Sequence, residues 1–163
     1  MYWLLVQMDV GHRALGYLSI LADPRKEATK DKINAAVKYR ESYRPFAPAT
    51  LAEYAEDIFE MPKGRKVMFM ERAYDIKENW REKFGAVTHV DGSGRIQTVE
   101  RDCNPLFHKL ISDFYSLTEV PVLLNTSFNL NGEPVVMTPE HAIRTFYSCG
   151  LDWLVLGSYI IKK

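Results

Sequence analysis

Apolar residues run almost unbroken over positions 2–6, a run too short for a helix, so residues 2–8 are expected to form a buried strand. A second short strand is expected at residues 18–22, ended by the breaker Asp23-Pro24. Over residues 26–37, Ala28, Ile33, Ala36 and Val37 make a broken apolar stripe among Lys, Glu and Asp. That stripe predicts a helix opened by Asp23-Pro24 and ending near Lys38. Residues 40–50 hold two prolines and no period, and read as an ordered loop or edge segment; residues 51–59 read as a short amphipathic helix. Beyond the exposed turn at Pro62 and Gly64, residues 66–73 are assigned to a strand and residues 77–84 to a helical turn.

The sequence Asp91-Gly92-Ser93-Gly94, between residues 87–90 and 95–99, predicts a β-hairpin. Asn104-Pro105 predicts the start of a helix reaching about Leu117, with Leu106, Phe107, Leu110, Ile111 and Phe114 on one face. Residues 120–124 read as a buried strand and Asn131-Gly132 as a turn. Thr138-Pro139-Glu140 opens a last helix to about Ser148, and residues 153–156 and 159–161 are closing strands. Strands and helices interleave irregularly, which predicts an α/β (α+β) fold with a mixed sheet flanked by helices, not a strict βαβ alternation.

Composition narrows this picture. The length of 163 residues suits one domain, 1–163. Its 21 basic and 21 acidic side chains cancel, so no global field draws the chain to nucleic acid or anionic lipid, and any anion site must be local. Cys103 and Cys149 form no CxxC and no Cys/His cluster at zinc spacing, so both are read as structural, no metal ligand is assigned, and a reducing, cytoplasmic compartment is expected. The N-terminal apolar run lacks a basic region before it and meets Asp9 too soon for a signal peptide, and no apolar stretch approaches the roughly 20 residues of a membrane helix. There is neither GxGxxG nor GxxxxGK[ST], which argues against a Rossmann or P-loop site.

Four segments carry candidate chemistry. Lys38, Arg40 and Arg44 fall within seven residues, in Lys38-Tyr39-Arg40-Glu41-Ser42-Tyr43-Arg44-Pro45-Phe46-Ala47-Pro48. On an extended segment the three would project to one side, a cationic wall in which lysine is a point charge and arginine a fork for phosphate. A solvated basic loop with Glu41 as partner is the commoner arrangement, but prolines on both sides of Phe46-Ala47 favour order. Asn125-Thr126-Ser127-Phe128-Asn129 follows a buried strand, where open α/β sheets place ligands, and its amides and hydroxyls suit phosphate oxygens or an amide-like ligand end. Taken alone, it serves equally as a polar turn. The stretch from His89 through the glycine turn to Arg95 and Gln97 would let backbone and Arg95 approach a ligand, although a plain hairpin explains it as well. In Gly11-His12-Arg13-Ala14-Leu15-Gly16, Arg13 sits where a short helix start would make an anion site; an exposed arginine on a turn is the bland alternative.

Together these segments resemble the C-terminal domain of the NodU/CmcH-type O-carbamoyltransferases. The family patterns GPRALGxRSILADPR, NxxVKxRExxRPFAP, HVDGTxRxQTV, NTSFNxxGEPIV and LDxLVxG appear here in order across nearly the whole chain, with His12, Leu18 and Ser93 among the departures. The resemblance implies a YrdC-like fold and the conversion of ATP, with Mg²⁺, and carbamoyl phosphate to carbamoyl adenylate. The family's K-x-R and S-x-N are Lys38-Tyr39-Arg40 and Ser127-Phe128-Asn129. By this resemblance Lys38, Arg44 and Ser127 hold the nucleotide phosphates and carry catalysis, Arg13, Arg40 and Asn129 join them on the nucleotide, and Arg95 with Asn125 holds carbamoyl phosphate. The implied partner is the family's larger N-terminal transferase domain, in the same or a separate chain. A non-catalytic nucleotide-binding or docking module is the alternative. An RNA-binding module is disfavoured, because no aromatics interleave with a basic stripe.

Overall fold

A computed structural model of the chain describes residues 2–4 and 13–163. In chain order its elements are β1 (Tyr2–Leu4), β2 (Leu18–Ala22), α1 (Glu27–Ile33), β3 (Ala47–Leu51), α2 (Ala55–Ile58), β4 (Tyr74–Asp75), α3 (Glu78–Arg81), β5 (Ser93–Gly94), β6 (Gln97–Val99), α4 (Pro105–Thr118), β7 (Val122–Ser127), α5 (Pro139–Tyr147), β8 (Trp153–Leu156) and β9 (Tyr159–Lys162). A single-turn π-helix, Asn34–Lys38, continues α1, and 3₁₀ turns lead into α2 and follow α3.

Seven strands form one sheet in the order β6-β3-β7-β2-β1-β8-β9, and β4 and β5 pair separately. The sheet is mixed: β1 runs parallel to β8 and β3 parallel to β6, while the remaining neighbours are antiparallel. The expectation of a mixed sheet flanked by helices is met.

Side chains alternate across this sheet and feed two cores. Leu18, Ile20, Val122 and Leu124 pack on one side with Ile33, Val37, Phe128 and Phe146. Leu21, Ala49, Leu51 and Leu123 pack on the other with Val99, Phe107 and Ile111. Helix α4 docks on that second face, its start capped by the Asn104 side chain, which accepts from Phe107 N, and its first turn preset by Pro105. Leu106, expected on the same face, is instead half exposed; the buried stripe is Phe107 and Ile111, four apart. Gly16, at φ 106°, lies against the Phe107 ring so closely that a Cβ there would come within 2.4 Å of it. The loop leading from Arg13 is thereby pressed onto α4.

Several expectations need correction. Residues 40–50 are not all loop: β3 begins at Ala47 and has neighbours on both sides, so it is no edge strand. Pro48 is tolerated because the ladder with β6 begins only at Ala49. Residues 66–73 form no strand; Val67 exchanges hydrogen bonds with the Thr98 backbone and hydroxyl instead. The Asp91-Gly92 turn is real, with Gly92 at φ 82° and His89 N donating to Ser93 O, but its flanks do not pair with each other. Ser93–Gly94 pairs with β4, and Gln97–Val99 with β3. Asp23-Pro24 does not cap α1: the Asp23 carboxylate takes the Arg25 N–H and guanidinium, and the helix starts after Lys26 without a side-chain cap. Of residues 2–8, only the strand Tyr2–Leu4 lies within the described residues. No helix among the described residues is long and apolar enough to cross a membrane.

Candidate functional site

The site forms where the carboxyl end of β7, the amino end of β3 and the loops before β2 and β6 meet. Arg13, Ala14, Arg40, Pro45, Phe46, Ala47, Met70, Arg95, Asn125, Thr126 and Ser127 line a cavity of about 150 Å³ there. Five of the eight side chains expected from the sequence, Arg13, Arg40, Arg95, Asn125 and Ser127, are thus brought together from four segments. Lys38 and Asn129 stand directly behind them. Arg44 lies outside the cavity, half exposed and 3.2 Å from the Glu41 carboxylate. Gly11 and His12 fall outside the described residues.

The cationic wall is not built from an extended strand as expected. The π turn widens the helix so that Asn34 and Lys38 are both buried, and Tyr39 then takes a left-handed conformation, φ 43° and ψ 49°. This breaks the alternation and sends Lys38 and Arg40 in different directions. Lys38 Nζ reaches the end of β7, at 2.7 Å from Ser127 O, 3.4 Å from Ser127 Oγ, 3.0 Å from Asn129 O and 2.8 Å from Asn129 Oδ1. Ser127 Oγ donates to the same Asn129 Oδ1 at 2.6 Å. Burial first, and then the Arg40 charge, push the Lys38 ammonium down to about 7, while its ring of oxygen acceptors favours the charged form.

Arg40 is held on three sides. Its Nε donates to Asn34 Oδ1 at 2.8 Å, an Nη reaches Pro45 O at 3.4 Å, and the guanidinium lies 4.7 Å from the centre of the Phe46 ring. Asn34 in turn donates to Arg44 O. Burial, then the charges of Arg44 and Arg95, lower the Arg40 pKa; burial, then Arg13, lower that of Arg95. Among the described residues no carboxylate pairs with Arg13, Arg40 or Arg95. Like charges gathered without a counter-ion, partly out of water, are repulsive until an anion arrives. Met70, at the cavity wall, is a second non-glycine residue at positive φ, 55°, and is buried.

Asn125 is only 1 % exposed. Its Nδ2 donates to Ala14 O at 3.0 Å and to Gln97 Oε1 at 2.8 Å, and its Oδ1 is buried with no partner among the described residues. An unpaired buried acceptor costs about 1–3 kcal/mol, a penalty a ligand N–H would remove.

Sequence reasoning did not assign Asn34, Phe46, Met70 or Gln97 to the site. Gln97 stood in the motif beside Arg95, so a signal was present; Asn34 is revealed only by the π turn. The two cysteines lie apart from the cavity. Cys149 is buried, its Sγ contacts Thr145 O at 2.9 Å, and burial raises its pKa to about 11, which leaves no thiolate near neutral pH. Lys163 ties the C-terminus to the Cys149 carbonyl.

Comparison with known proteins concerns the chain as a whole. The family model described as "Carbamoyltransferase C-terminus" matches residues 1–163. Nodulation protein NolNO of Sinorhizobium fredii is 51% identical over 162 residues, 99% of this chain and 24% of that protein. Nodulation protein NolO of Bradyrhizobium diazoefficiens is 49% identical over 162 residues, 99% of this chain and 30% of that protein. The 3'-hydroxymethylcephem-O-carbamoyltransferase of Amycolatopsis lactamdurans is 38% identical over 155 residues, 95% of this chain and 29% of that protein. The chain therefore spans 24–30% of the length of these relatives.

Proposed function

The chain belongs to the carbamoyltransferase C-terminus family, and from that premise we propose that it binds ATP and carbamoyl phosphate and forms carbamoyl adenylate for later transfer to a hydroxyl acceptor. The observation that carries this reading is the cavity itself. Three arginines with no acidic partner among the described residues line it beside a buried amide oxygen in need of a donor. An acyl phosphate with an amide end supplies both, a dianion for the guanidinium forks and N–H groups for Asn125 Oδ1.

Arg95 and Asn125 then hold carbamoyl phosphate, Arg13 and Arg40 neutralise the nucleotide phosphates from the facing wall, and Ser127 donates to a phosphate oxygen. Lys38, hydrogen-bonded to Ser127 and Asn129, positions that strand end and lends it positive charge. Arg44 would have to leave Glu41 to reach the nucleotide, an exposed pair whose loss costs little. Water takes the phosphoryl group of carbamoyl phosphate, leaving carbamate and inorganic phosphate. A carbamate oxygen bonds to the α-phosphorus of ATP, the bond from that phosphorus to the bridging oxygen breaks, and pyrophosphate departs with the electron pair. Such a step needs alignment and charge neutralisation more than a covalent nucleophile. Mg²⁺ would arrive on the triphosphate oxygens and neutralise further charge there.

Transfer to the acceptor is assigned to the part of the family that this chain does not span. The test is pyrophosphate release from ATP, measured with and without carbamoyl phosphate. Release is expected only with both substrates, and Lys38→Ala or Arg95→Ala should lower it by about 100-fold while the protein stays folded. ATP binding without any release would identify a docking or nucleotide-binding module; release independent of carbamoyl phosphate would overturn the proposal.

A further inference from the structure

The unpaired oxygen of Asn125 raises the question of what keeps that amide the right way round. A terminal amide has nearly the same shape in either orientation, and only its neighbours choose between them. Here two acceptors make the choice, the Ala14 carbonyl directly and Gln97 through its own partner. Gln97 Nε2 donates to Leu15 O at 3.2 Å, which leaves Gln97 Oε1 as the atom that meets Asn125. Asn125 must therefore present its NH₂ to Gln97 Oε1 and to Ala14 O, and both of its protons are used. Its carbonyl oxygen is what remains, buried beside the cavity. Gln97 is itself 4 % exposed, and Asn104 Nδ2 lies 3.4 Å from the same Leu15 carbonyl.

We infer that Gln97 is a positioning residue that fixes the polarity of the Asn125 amide, so that the site selects acyl phosphates carrying an N–H group over equally shaped ones carrying a methyl. The inference rests on the function proposed above and adds to it the source of substrate selectivity. Gln97 does not line the cavity, so its effect passes through Asn125. Without it Asn125 keeps a single anchor at Ala14 O, an N–H is left unpaired in the interior, and the side chain can turn its oxygen aside. Glutamate at position 97 keeps an acceptor for Asn125 but sets a second oxygen against Leu15 O and adds negative charge near the site, so its absolute affinities fall and only the ratio between the two ligands is compared.

The test uses two stable phosphonates of similar shape, phosphonoacetamide with an NH₂ and 2-oxopropylphosphonate with a CH₃, titrated calorimetrically into the wild-type chain and into Gln97→Met and Gln97→Glu. The wild type is expected to prefer phosphonoacetamide by about tenfold, the value of one good hydrogen bond to a buried acceptor. Gln97→Met should lower that ratio toward one while affinity for 2-oxopropylphosphonate changes little, and Gln97→Glu should retain the preference. Equal preference in wild type and Gln97→Met overturns the role of Gln97 and leaves the proposed function standing. Wild-type protein that binds neither compound overturns both. Should Gln97→Met fail to unfold cooperatively, the Gln97→Glu ratio decides: a ratio near one sinks the inference.

Discussion

Among the single residues of the site, Lys38 has the most distinctive titration. It is 6 % exposed, and its pKa near 7 compares with 10.5 for an ordinary lysine. Between those values the unfolded chain holds a proton that the folded chain has lost, so this residue makes stability rise with pH across that window. Below pH 7 both states carry the charge, and the folded state bears its full burial cost. Anion binding follows the opposite course, because the ammonium is the form that attracts phosphate. The affinity for ATP is expected to fall as pH climbs from 7 to 9, by up to about tenfold per unit if Lys38 alone governs it. Lys38→Met should remove the slope attributable to this group, leaving only that of the nucleotide. Calorimetry in buffers of different ionisation enthalpy would show proton uptake on binding at pH 8 in the wild type and less in the variant. A slope unchanged in Lys38→Met would show that another group titrates.

At the scale of elements, the decisive unit is the helix that ends in a π turn and a left-handed tyrosine. Tyr39 is 56 % exposed, so its side chain contributes little packing to offset an unfavourable backbone. A non-glycine residue there costs about 1–2 kcal/mol, whereas glycine loses only about 0.5–1 kcal/mol more chain entropy on folding. Tyr39→Gly is therefore expected to stabilise the protein by about 0.5–1 kcal/mol, read from the urea midpoint at unchanged m-value. A destabilised variant would mean that the tyrosine ring contributes packing after all. The same element shows where sequence reading stops. Strand Leu18–Ala22, the capped helices at Asn104 and Thr138 and the closing strands followed from period and punctuation, because those signals are local. Strand Ala47–Leu51 was hidden by its small residues and Pro48, and the false hairpin arose because an Asp-Gly turn does not say whether its flanks pair with each other or with distant strands. In the site, motif order identified five side chains that share the cavity, but the extended geometry assumed for Lys38, Arg40 and Arg44 failed at a π turn that no period announces. The orientation of Asn125 was likewise illegible, since its two acceptors, Ala14 O and Gln97 Oε1, lie 111 and 28 residues away in the chain.

For the molecule as a whole, a formal net charge of zero conceals a concentrated positive site, so attraction of anions acts at short range and should weaken with added salt. The position of β7 in the sheet gives that site an unusual mechanical base. Both neighbours of β7, β3 and β2, run antiparallel to it, and its last residues carry Asn125 and Ser127 into the cavity. The opposite wall hangs on the segment between Tyr39 and β3, where the backbone bonds among the described residues include only Arg40 N to Asn34 O and Arg44 N to Glu41 O. The two walls therefore keep different clocks. Amide hydrogens of β7 point alternately to β2 and to β3 and should exchange with solvent only when an interior ladder opens, while those of the basic loop exchange through small local openings. A nucleotide bridging the walls would couple the clocks: with ATP bound, deuterium uptake at residues 40–46 is expected to slow strongly and uptake at β7 hardly at all. Equal slowing everywhere would mean that the ligand stabilises the fold globally, and no slowing at the loop would mean that it grips the strand alone.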